Sequence, residues 1–147
     1  MASSGFDLDR FVTAQQDSYA AALTELKAGR KRSHWMWFVF PQIAGLGHSA
    51  MSRHYAIGSL AEARAYLAHP ILGARLIECL AALEAGKQDD MVAIFGAIDA
   101  TKLRSSLTLF GRAAPEMRVF QRALDRWFGG TADAMTLAII EEVREIP

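Results

Sequence analysis

The side chains best suited to chemistry gather in one stretch, Gly29-Arg30-Lys31-Arg32-Ser33-His34-Trp35-Met36-Trp37-Phe38-Val39-Phe40-Pro41-Gln42. Three consecutive cations run there into a block of bulky apolar residues holding two of the three tryptophans. Rings in such a block either anchor a core or wall a concave site, and Lys31, His34 and Gln42 then stand at its rim. Aromatic walls exclude water, and a few convergent polar groups fix a ligand's orientation. The expected site is therefore a pocket for a small polar or anionic, nucleotide-like ligand, lined by Gln15, Lys31, His34, Trp35, Trp37 and Gln42. Gly45, Gly47, Ser49, Lys102 and Ser106 complete its rim. In an alternative hydrolase or N-glycosidase reading, His34 or Glu62 serves as general acid or base. A third reading makes an exposed Trp35 or Trp37 patch the docking face of a protein-interaction module.

Other motifs weigh less. Cations beside aromatics suit nucleic acid, but cations closing a helix also answer its macrodipole, so nucleic acid is disfavoured as a partner. Gly45-Leu46-Gly47-His48-Ser49-Ala50 matches a dinucleotide fingerprint in form, yet the strand, crossover helix and second strand that give it meaning are missing. Two glycines ahead of Ser49 can still turn backbone N–H groups toward a small anion. Asp99, Lys102 and Ser106 share one helix side, with Asp99 read as an N-cap paired to Lys102. His34, His48, His54 and His69 have no metal-binding spacing and Cys79 is the lone cysteine, so neither a metal nor another cofactor is expected. Cys79 lies in an apolar stripe and reads as an inert buried thiol.

The elements that must position these groups read as helices. Asp7 is placed to cap a helix through Phe11, Val12, Tyr19, Leu23 and Leu26 that Gly29 ends. Gln15 falls on its apolar side, so its amide needs partners. Trp35 to Phe40 reads as a short helix with Ser33 as N-cap, followed by a glycine-rich loop from Pro41 to Gly47. Ser49 or Ser52 and then Ser59 cap the next two helices, and His69-Pro70 breaks the chain before a helix through Leu72, Leu76, Cys79 and Leu83 that stops at Gly86. Met91 to Phe95 forms a further turn, Asp99 opens a helix through Leu103, Leu107 and Phe110, Pro115 starts another to Gly129-Gly130, and Asp133 caps the last.

At 147 residues, 52% hydrophobic and 22% charged, the chain suits one domain able to bury about 68–70% of its unfolded surface. The expected fold is all-α, a compact multihelical domain spanning 1–147 with an ordered core of about 6–141. Sixteen basic and sixteen acidic residues cancel, so no global field draws the protein to nucleic acid or anionic lipid. The longest bulky apolar run ends at Pro41, far short of the roughly 20 residues that span a bilayer. Met1 to Gly5 shows no leader pattern, and a single cysteine suits a reducing compartment. No membrane association and a cytoplasmic location are therefore expected.

The segments Lys31 to Gln42, Gly45-Leu46-Gly47-His48-Ser49, Tyr55-Ala56-Ile57 and Lys102-Leu103-Arg104-Ser105-Ser106-Leu107-Thr108-Leu109-Phe110 resemble an uncharacterised bacterial domain-of-unknown-function family often auto-labelled "calpastatin". The likeness runs from Phe11 to about Leu137 and implies a compact helical domain. Leu107 departs from it, since the family more often has methionine there, a volume-conserving exchange. The label itself conflicts with physics: calpastatin inhibitory segments are disordered and poor in large apolar residues, whereas this chain is built to bury them. The helical layout is also similar to that of NADAR domains, which act on ADP-ribose-like glycosides. The glutamate–histidine pair expected of that group is not found here, so the likeness stays at the level of fold analogy.

Overall fold

The computed structural model describes residues 5–145, with side chains through Glu142. Residues 1–4, which carry most of the stretch read for a leader, and residues 146–147 lie outside the described residues. Among the described residues there are ten helices and no strand. They are α1 (Asp9–Gln16), α2 (Tyr19–Ala28), α3 (Met36–Val39), α4 (Ala50–His54), α5 (Leu60–Ala68), α6 (Leu72–Ala85), α7 (Met91–Phe95), α8 (Ala97–Ala113), α9 (Val119–Phe128) and α10 (Ala134–Glu145). Among the described residues no single helix is long and apolar enough to cross a membrane.

Helix α8 is the axis of the domain. Its residues Ser105 to Phe110 are all buried, which marks a helix enclosed on every side, and it packs against α5, α7, α9 and α10. Two of the hydroxyls inside it turn back onto the helix: Ser105 Oγ donates to Thr101 O at 3.1 Å and Thr108 Oγ1 to Arg104 O at 2.8 Å. A chain of rings then runs through the core, from Phe11 edge-on to Tyr66 at 5.1 Å, to Phe110 at 5.3 Å, to Phe120 at 5.8 Å. Cys79 lies buried on α6, where burial pushes its thiol up to about 12.

Several expected boundaries form as the side-chain chemistry requires. Gly29 closes α2 and Gly129 closes α9, both left-handed with φ of 75° and 63°. Ser49 accepts from Ser52 N and Ser59 from Glu62 N, each at 3.1 Å, and Asp133 Oδ2 accepts from Thr136 N at 2.9 Å. Others differ. The first helix is interrupted at Asp17–Ser18 because its halves serve different neighbours, α1 packing on α3 and α2 on α6. Asp7 does not cap it; α1 begins after Leu8 with no side-chain cap. Gly96, not Asp99, precedes α8, at φ 83°, and the helix after Pro115 begins only at Val119.

Ser33 does not cap α3, which starts after Trp35 with no side-chain cap. A carboxylate from the preceding helix takes Ser33 instead. Glu25 Oε1 accepts from Arg32 N at 2.6 Å, Ser33 N at 2.9 Å and Trp35 Nε1 at 3.0 Å, while Oε2 accepts from Ser33 Oγ. Burial alone would raise the Glu25 pKa, but the bonds from Ser33, the two amides and the indole outweigh it and hold the group at about 2. The turn after Gly29 is thus stapled to α2, with Trp35 1% exposed against Phe40 and Phe95.

Gln15 is likewise a core bracket rather than a pocket group. It is 1% exposed. Its Nε2 donates to Phe38 O at 2.6 Å and Tyr66 Oη at 3.2 Å, and its Oε1 accepts from Arg75 Nη1 at 3.3 Å.

Two outcomes follow for stability. A folded-state pKa below the unfolded value means that ionised Glu25 stabilises the fold above about 4.5 and that this contribution fades as pH falls toward about 2. Glu25→Gln therefore lowers the melting temperature at pH 7, and its deficit against wild type shrinks across that acid window in parallel thermal scans. Gln15→Leu leaves the Phe38 carbonyl and the Tyr66 hydroxyl only their 3.4 Å bond to each other and takes an acceptor from Arg75, costing about 1–3 kcal/mol in urea unfolding.

Candidate functional site

The loop after the aromatic helix is held by two backbone bonds that alternation in the sequence does not betray. Ala44 N donates to Ile57 O and Ile57 N to Gln42 O, each at 2.8 Å, forming an isolated parallel bridge between Ile43 and Ile57. The far side of that bridge is clamped by Arg10. Its Nε donates to His54 O at 2.8 Å, and its Nη2 to Ala56 O at 2.7 Å and Glu62 Oε2 at 3.0 Å. Glu62 Oε1 in turn accepts from Gly58 N at 2.8 Å. Both its oxygens are engaged in holding the turn before α5, so Glu62 is a structural carboxylate.

Glycine is required twice in the loop. Gly45 has φ 106°, and a Cβ there would touch Ile139 of α10 at 3.4 Å; at Gly47 a Cβ would stand 2.5 Å from Ser52 Oγ. The loop therefore threads between α4 and α10.

On its outer side it borders two adjoining hollows that share Gln42, Leu46, Gly47 and Ser52. The smaller, of about 130 Å³, is walled by Trp37, Arg53 and Tyr55. The larger, of about 380 Å³, is walled by Ile98, Thr101, Lys102 and Ser105 of α8 with Asp133 and Met135 at the start of α10.

Lys102 links the two. Its Nζ lies 4.5 Å from the centroid of the Trp37 ring and 3.4 Å from Asp99 Oδ1. Asp99 Oδ2 is held more closely, at 2.9 Å, by Lys31 Nζ, which also donates to Ser33 O at 2.6 Å and sits 5.0 Å over Trp35. Two lysines thus share one carboxylate, and the triad keeps one net positive charge. The Lys31 side chain is 9% exposed and spends its charge inside; that of Lys102 is 21% exposed and faces the larger hollow.

The expected site residues therefore separate. Trp37, Gln42, Gly45, Gly47 and Lys102 come together on the two hollows. Trp35 and Gln15 lie in the core, Lys31 lies behind Asp99, and Ser49 caps α4. Ser106 is buried with its Oγ unpartnered and lines neither hollow. His34 is exposed on the approach to α3 and also lines neither hollow. An interaction face cannot be built on Trp35, whose ring is buried.

Ser52, Arg53, Tyr55, Ile98, Thr101, Ser105, Asp133 and Met135 join the walls without having been expected there. For α8 the signal was present: Ile98, Thr101, Lys102 and Ser105 follow the i, i+3, i+4, i+7 stripe of one helix face. The side chains lining the two hollows include no His, Cys or Glu. Their one carboxylate, Asp133, is engaged through Oδ2 by Thr136 N and by Thr136 Oγ1 at 2.6 Å. What the walls offer is two cations, Lys102 and Arg53, together with hydroxyls, an amide and the rings of Trp37 and Tyr55.

Comparison with curated proteins gives no match. The crystal structure of the conserved hypothetical protein Rv1873 from Mycobacterium tuberculosis is similar at 48% identity with a TM-score of 0.90, over 92% of this chain and 97% of that one. A family model described as "Protein of unknown function (DUF1810)" matches residues 5–140, a span that takes in every wall of both hollows. The chain belongs to the DUF1810 family, a group of proteins of unknown function.

Proposed function

We propose that the protein binds a small organic anion of nucleotide-like size in the cleft between the 42–47 loop, α4, α8 and α10. The observation that carries this reading is the placement of Lys102, an ammonium lying on the Trp37 ring and bound to Asp99 only at 3.4 Å. An ammonium has three donors, and the Asp99 contact uses one. Because Asp99 is already neutralised by Lys31 at 2.9 Å, the charge of Lys102 is available to a ligand. Arg53 adds a second cation to the smaller hollow, beside the Trp37 and Tyr55 rings, where a flat group can lie while Gln42 and Ser52 orient it. The contribution of such a site is charge, ring contact and partial exclusion of water.

Calorimetric titration with inorganic phosphate, AMP, ADP and citrate tests this reading. At least one of these anions binds, the affinity falls as salt rises, and Lys102→Ala weakens it about 10- to 100-fold, the loss expected for one charge-assisted bond. Trp37→Phe removes the accompanying change in tryptophan emission. The fold survives Lys102→Ala, since Asp99 keeps Lys31, and Trp37→Phe, which replaces one partly buried ring by another. Failure of every anion to bind, or an affinity indifferent to Lys102→Ala, overturns the proposal.

A further inference from the structure

The larger hollow carries a feature that anion binding leaves unused. Ile98 and Met135, 75% and 62% exposed, are the most exposed large apolar side chains among the described residues. Both line that hollow, together with Lys102. Scattered surface apolar residues are ordinary; here the two come from different helices and meet at one concavity. Their positions are set by rigid local structure. Ile98 lies in the first turn of the central helix, and Met135 follows Asp133, whose N donates to Thr108 Oγ1 at 2.9 Å and whose carboxylate caps α10.

Leu46, shared with the smaller hollow, continues this apolar wall. Asp133 also faces the larger hollow, and its negative charge opposes a second anionic group there. One end of the ligand is thus asked to be charged and the other uncharged. The volume of about 380 Å³ falls within the roughly 300–1,000 Å³ typical of small-molecule sites.

We infer that the cleft is selective for an amphipathic anion, its charged group held at Lys102 and an aliphatic tail lying between Ile98 and Met135. The inference rests on the anion-binding reading above and narrows its ligand class. Apolar area that a tail removes from water adds affinity in proportion to its length, whereas a purely polar anion leaves both side chains wet.

A calorimetric series of methyl, butyl and hexyl phosphate tests it on the full chain. Affinity rises with chain length by about twofold to fourfold per methylene. Ile98→Ser combined with Met135→Ser flattens the series, and Lys102→Ala weakens all three esters alike. Both serine changes are at exposed positions, so the melting temperature stays close to wild type. A series that is flat in the wild type overturns the tail subsite and leaves the anion site standing. A length dependence that persists in the double variant also overturns it, because the tail then binds elsewhere. If no ester binds, methyl phosphate included, the tail subsite falls together with phosphate as a headgroup.

Discussion

Sinking the Trp35 indole into the core while its N–H still finds an acceptor is the constraint on which the site depends. A buried indole N–H without a partner is costly, and Glu25 supplies that partner from the preceding helix. The same carboxylate gathers two amides and the Ser33 hydroxyl, so the reversal of the chain after Gly29 and the insertion of Trp35 are one event. Two positions on, Trp37 is only half-buried, packed against the edge of that core, and becomes a wall of the cleft. The two tryptophans are alike in sequence and opposite in role because the first one is anchored.

Around this anchor the domain is tied by buried polar brackets as much as by its rings. Gln15 joins α1 to the Phe38 carbonyl, Tyr66 and Arg75. Arg10 and Glu62 hold the turn that reaches the 42–44 backbone through the isolated bridge. Each bracket saturates its donors and acceptors, the condition under which buried polar groups rigidify a core instead of weakening it. The cleft borrows this rigidity: its loop is fastened on one side by the bridge and on the other lies against α4 and α10.

Much of the architecture was legible in the chain because its signals are local. Gly29, Ser49, Ser59, the His69-Pro70 break and Asp133 act within a few residues of where they stand, and each marks a boundary in the fold. What escaped depends on contacts distant in sequence. Glu25 had no reason to be singled out until the turn brought Ser33 and Trp35 back to it. Lys31 flanks the aromatic block and so reads as a rim group, but the carboxylate that turns it inward, Asp99, lies far along the chain and is a counter-ion shared with Lys102. The Ile43–Ile57 bridge is too short to leave an alternating pattern. The α8 wall follows a helical stripe, Ile98, Thr101, Lys102 and Ser105, that lies beside the Asp99 and Ser106 positions of the same helix.

The shared counter-ion makes the cleft and the interior parts of one electrostatic circuit. Asp99 pairs with Lys102 on the wall of the larger hollow and with Lys31 behind it, and Lys31 N in turn donates to Ile94 O at 2.8 Å. Through Asp99, the charge on the cleft wall and the pairing of the buried Lys31 are therefore coupled.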